Sequence, residues 1–138
     1  MILTCDQHFK GAVRPHGEAL SLQVIDVRIR GLVAAMNVQG VVRTVSSCEG
    51  HRMLGLAARQ WPFVMFVTDL RHAARLAAAI RSDQQDLKAL NYDWNVDAGF
   101  ADREVLTFRL ACLDRFFARK EVDHDFGVLE AWAKDIFR

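Results

Sequence analysis

Proline, cysteine and tyrosine are scarce in this chain: its 138 residues include two prolines, three cysteines and one tyrosine. Two prolines and eight glycines exclude a long Pro/Gly-rich linker. Three cysteines are an odd number and lie far apart, so a disulfide framework is not expected and a reducing compartment is. No window holds about 18 uninterrupted apolar residues, which excludes a membrane-spanning helix. The opening segment MILTCDQHFK lacks the long apolar run of a signal peptide, so the expected location is cytoplasmic. Net charge is only +1, too little for an overall field that would gather nucleic acid or a membrane surface. The charge is uneven, +4 over residues 1–90 and −3 over residues 91–138, as a basic face for an anion or ordinary solvated helix faces would both give.

What is present is an ordinary globular composition, 51% hydrophobic and 25% charged, in a length that fits one domain spanning 1–138. Ile25, Ile29, Leu32, Val33 and Met36 recur at helical spacing and predict a helix over 18–37, stopped by Asn37 and Gly40. Val41–Ser47 is β-branched and predicts a strand. Residues 52–61 fit either a helical turn or a strand. Pro62–Thr68 is continuously apolar, as a strand covered on both faces would be, and Asp69 is a good N-cap for a helix from Leu70 to about Gln85. That order reads as the first half of a βαβ unit. Asn91–Ala98 and Arg103–Leu113 predict a hairpin, and a last helix runs from about Asp123 with Phe126, Leu129 and Ala133 on its apolar face. The expected fold class is therefore α/β (α+β), a mixed β-sheet with flanking helices in the order α-β-β-α-β-β-α.

The most chemically loaded stretch is Val41–His51, VVRTVSSCEGH. Small polar residues and a glycine directly after a strand imply a turn with special backbone needs. Its N–H groups and the hydroxyls of Ser46 and Ser47 offer a concavity for an anion. Cys48, Glu49 and His51 bring a thiol, a carboxylate and an imidazole within four residues. A histidine beside Cys48 would activate the thiol or act as an acid or base near neutral pH. The alternative is a plain turn, with Cys48 a small buried side chain, Gly50 at positive φ, and Glu49 and His51 solvated. A metal reading competes, because Cys5-Asp6-Gln7-His8 and Cys48-Glu49-Gly50-His51 are both Cys-x-x-His and together offer a tetrahedral donor set. Elsewhere, Trp61, Tyr92 and Trp94 are read as core or rim residues, Cys112 as a core residue, His72 with Arg71 and Arg75 as a solvated helix face, and His124 as part of a helix start.

Two segments resemble the wybutosine-synthesis methyltransferase family, which acts on a modified guanosine of phenylalanine tRNA. Met36-Asn37 leads into Thr44-Val45-Ser46-Ser47-Cys48-Glu49-Gly50-His51, similar to that family's Leu-Asn helix end, strand and Thr-Ser-Ser-Cys-Ser-Gly-Arg signature. Ser46, Ser47, Cys48 and Gly50 match. Glu49 stands for a serine, and His51 for an arginine whose planar fork it does not reproduce. Pro62-Phe63-Val64-Met65-Phe66-Val67, with Asp69-Leu70 and Ala73-Ala74-Arg75-Leu76, resembles the family's next strand and helix. The interval between the two, Arg52–Trp61, is shorter than the family's. The resemblance implies S-adenosylmethionine as cofactor and a small-molecule or RNA-derived ligand. With the residue chemistry it assigns Cys48 and His51 catalytic roles and Ser46, Ser47, Glu49 and Gly50 ligand binding. Rival expectations are a non-enzymatic anion or partner-binding module, the metal site, and a homo-oligomer joined through the apolar face of the C-terminal helix.

Overall fold

A computed structural model of the chain describes residues 25–51, 60–100 and 104–138. Of the expected first helix, the described part is a 3₁₀ turn, Val27–Ile29, continuing into α1, Arg30–Ala35. Ile29, Leu32, Val33 and Met36 are buried at the spacing that predicts the helix. Gly40 then reverses the chain at φ 79°. Asn37 ties the reversal down: its side chain accepts from Thr44 N–H (3.0 Å) and donates to Val33 O (2.7 Å). Strand β1, Val42–Cys48, follows.

Strand β2 is Phe63–Thr68, and Asp69 caps helix α2, Leu70–Ser82, by accepting from His72 N–H at 2.8 Å. That hydrogen bond to the backbone holds the Asp69 carboxyl below its ordinary value. A π turn, Asp83–Leu87, ends the helix where a regular one was expected to run on. Strands β3, Trp94–Phe100, and β4, Leu106–Cys112, form the expected hairpin, whose tip lies outside the described residues. Helix α3, Arg119–Ile136, starts four residues before the expected Asp123.

The fold is α+β. The sheet order is β1-β2-β4-β3, and each neighbouring pair is antiparallel. The expected βαβ unit is present in split form: β2 crosses through α2 to the edge strand β3, which runs parallel to β2 but is separated from it by β4, antiparallel to both. The three helices cover one sheet face. Val42, Val64, Phe66, Phe108, Leu110, Cys112 and Trp94 meet Leu32, Val33, Ala73, Leu76, Ile80, Val122, Phe126, Leu129 and Phe137 there in one core. The period-two alternation of strands sends Cys48, Phe63, Met65 and Ala111 to the other face, where they form a smaller apolar cluster. The apolar face of α3 is used in the main core, so it does not supply the oligomer interface expected of it. No described helix is long and apolar enough to cross a membrane.

Candidate functional site

Strand β1 does not deliver the turn in simple register. Thr44 pairs with Phe66 and Ser46 with Met65, so Val45 is bulged. A bulge bends and twists its strand, and here it sets Ser46 and Cys48 on the face opposite the helices, opposite Met65 and Phe63. Ser46, Ser47, Cys48 and Gly50 are all buried. Gly50 has φ 85°, and a Cβ on it would lie 2.7 Å from Pro62 Cγ and 2.8 Å from Phe117 Cζ. The turn is thus packed shut rather than open to a ligand.

Its polar backbone is spoken for as well. Glu49 N–H donates to Asp26 Oδ2 at 3.1 Å, and Gly50 N–H donates to Cys48 Sγ at 3.3 Å. The Arg119 guanidinium donates to Glu49 O (2.8 Å) and Gly50 O (3.0 Å). The expected anion concavity is therefore corrected. These N–H groups point to a carboxylate and a sulfur of the same chain, and the two carbonyls already hold a cation. Around the turn Arg28 and Arg119 both reach Glu49, at 3.5 and 3.7 Å, and both pair with Asp123. This network joins the first helix, the turn and the start of α3. Arg119 also lies over the rings of Phe117 and Phe126.

The side chains that do converge are Cys48, His51 and Asp26. One donor atom from each lies within 4.8 Å of the other two, and His51 Nε2 is 3.7 Å from Asp26 Oδ2. Cys48 is fully buried, Asp26 partly so, and the His51 side chain is half exposed, so the cluster reaches from the interior to solvent. Ligands at 2.0–2.3 Å from a tetrahedral zinc are about 3.3–3.8 Å apart. The Asp26–His51 spacing already fits, and the widest pair needs to close by about 1 Å. With Cys48 reduced, the Asp26 carboxylate and the Cys48 sulfur would together balance the charge of a divalent ion.

Cys48 is disulfide-bonded, a single bond that the expected absence of a disulfide framework did not foresee. As a cystine its sulfur is not the nucleophile expected of it. Cys112 is free, and burial pushes its thiol up to about 11, which leaves it inert near neutral pH.

Cys5 and His8 lie outside the described residues. Sequence reasoning missed Asp26 and Arg119. Asp26 carried no site signal in the sequence, standing in an N-cap position before the first helical residues. Arg119 had none either, since its partners are 69 and 70 residues away.

The remaining candidates fall into structural roles. Trp94 is buried with its Nε1–H on Asp125, His72 stacks on Phe137, and His124 Nε2 sits 3.1 Å from Ala89 O. A groove of about 500 Å³ is lined by Ile80, Arg81, Gln84, Trp94 and Leu113 among others, and none of residues 46–51 contributes to it. No family model, no curated protein and no solved structure matches this chain.

Proposed function

We propose that this is a metal-binding domain, with Asp26, Cys48 and His51 as protein ligands of one divalent ion, zinc being the best fit to a mixed carboxylate, thiolate and imidazole set. The observation that carries the reading is the convergence within 4.8 Å of three donor types, two from one turn and the third, Asp26, from before the first helix. Asp26 stands before the 3₁₀ turn, Cys48 ends β1, and His51 follows the turn at Gly50. Among the described residues three donors are offered, so a tetrahedral ion would take its fourth ligand from water or from a further residue.

The role of the strand and turn residues changes in this reading. Gly50 and Arg119 shape the loop that brings His51 back over Cys48, and Ser46 and Ser47 belong to its packed support. The S-adenosylmethionine reading that comes with the methyltransferase resemblance asks for an open pocket at the same turn, and the burial of Ser46–Gly50 favours the metal instead.

The test is elemental analysis and zinc titration of reduced, chelator-treated protein. One equivalent of zinc is expected, with Asp26→Asn and His51→Ala each weakening it by about a hundredfold, since even outer-shell partners are worth 10–100-fold. The first variant keeps an oxygen to accept Glu49 N–H, and the second alters a half-exposed side chain, so both are expected to fold. Zinc uptake below one equivalent at every concentration, in folded reduced protein, overturns the proposal.

A further inference from the structure

We infer that metal occupancy at this site is controlled by the redox state of Cys48: the disulfide and the metal compete for the same sulfur, so reduction admits the ion and oxidation expels it. The inference rests on the metal reading above and adds its regulation.

Cys48 contributes one of the three donor atoms and is at the same time disulfide-bonded. A sulfur in a disulfide carries no thiolate charge and is a poor ligand, so one atom serves two exclusive states. In the oxidised state Asp26 and His51 remain near each other, but two ligands hold a divalent ion much less firmly than three.

The surroundings of the sulfur suit both states. Cys48 is fully buried. A dithiol reductant breaks the S–S bond, forms a mixed disulfide, and releases Cys48 as thiolate. The second reductant thiol closes its own disulfide and frees the second protein thiol. Two electrons pass from the dithiol to the protein. The sulfur that leaves already accepts from Gly50 N–H at 3.3 Å. The incoming metal ion then binds that thiolate directly.

A second feature lies on the same strand face. Ser46 Oγ is buried without a hydrogen-bond partner, and Ser46 and Cys48 both point away from the helices, opposite Met65 and Phe63. A buried orphan hydroxyl is costly. This one lies on the same face of β1 as Cys48, two residues away.

The experiment uses the full chain in two preparations, one air-equilibrated and one reduced with a dithiol and desalted without oxygen. Thiols are counted by alkylation under denaturing conditions, and each preparation is titrated with zinc alone against a chromophoric chelator. The expected result is one free thiol and weak zinc binding in the first, three free thiols and one tight zinc in the second, with affinities about a hundredfold apart. Reduced Cys48→Ser is expected to bind like the oxidised protein, and its circular dichroism shows whether it is folded; Asp26→Asn, reduced, serves as the second folded control. Equal affinity in both preparations overturns the redox control and leaves the metal site standing. Three free thiols in the air-equilibrated protein also overturn it. Absence of binding in both overturns the metal reading itself.

Discussion

Gly50 is where residue-level sterics set the site. Its φ of 85° favours glycine, and a methyl group there would meet Pro62 and Phe117 under 3 Å. Gly40 has a similar φ of 79° but nothing within 4 Å of its Cβ position. The pair separates strain from crowding. Gly40→Ala is expected to cost about 1 kcal/mol and Gly50→Ala about 2–4 kcal/mol in urea unfolding, the excess being overpacking. Equal losses would mean that Pro62 and Phe117 give way freely. Asp125 is the other decisive residue. Its buried carboxylate accepts from Asn91 N–H, Tyr92 N–H and Trp94 Nε1–H at 2.8–3.1 Å, fixing the segment between the π turn and β3 to α3. Asp125→Ala strands these donors and is expected to cost about 3–5 kcal/mol, read from the same unfolding curves. A loss under about 1 kcal/mol would contradict that role.

What could be read at this scale depended on how local the cause was. The Asp69 cap and the positive φ of Gly50 are consequences of the residue and its immediate neighbours, and both were legible. Asp125 looked only like part of a helix start, because its partners are 31–34 residues away. Asp26 was hidden for the same reason: it meets Cys48 and His51 only after β1 has formed.

Among the elements, the start of α3 shows how tertiary contacts move a boundary. The pattern of apolar residues points to Asp123, but the helix begins at Arg119, whose guanidinium holds the carbonyls of Glu49 and Gly50 and pairs with Asp123 one turn on. Charge-assisted bonds to the turn supply what the first helical residues lack in apolar contact. Arg119→Gln is expected to cost about 2 kcal/mol, to fray the first turn of α3 in hydrogen exchange, and to weaken zinc binding by loosening the loop that carries His51. Unchanged exchange in residues 119–123 would show that the helix start is set by its own sequence. The strands were legible because their alternation and apolar runs are local. The strand order β1-β2-β4-β3 was not, because a strand, a cap and a helix foretell a crossover to a parallel strand but not that β4 is inserted between the two.

For the whole molecule, burial of titratable groups sets the alkaline limit. Burial raises the Cys112 thiol from an ordinary 9.0 to about 11, and burial, followed by the neighbouring Glu121, raises Tyr92 above its ordinary 10.0. In both the folded state holds its proton more tightly than the unfolded chain does. Their contribution is intact below pH 9 and is lost as pH rises from 9 toward 11. The thermal midpoint is expected to fall across that window and the fall to be smaller in Cys112→Ala; a flat midpoint up to pH 11 would contradict it. The α+β class follows from composition and periodicity; that the main core lies on one sheet face was not legible, since the apolar run Pro62–Thr68 suits a strand covered on both faces. The disulfide at Cys48 was not legible either, since an odd cysteine count argues against a framework and is silent about one bond.

Zinc is spectroscopically silent, and cobalt(II) reports the same ligands. The central claim is therefore tested most directly by titrating reduced protein with cobalt(II) and following its absorption. One equivalent is expected to give a thiolate-to-cobalt charge-transfer band and the strong visible bands of a tetrahedral ion, both removed by zinc and both absent in Asp26→Asn and Cys48→Ser. A spectrum that stays that of hydrated cobalt(II), in protein shown to be folded and reduced, would contradict a metal site at Asp26, Cys48 and His51.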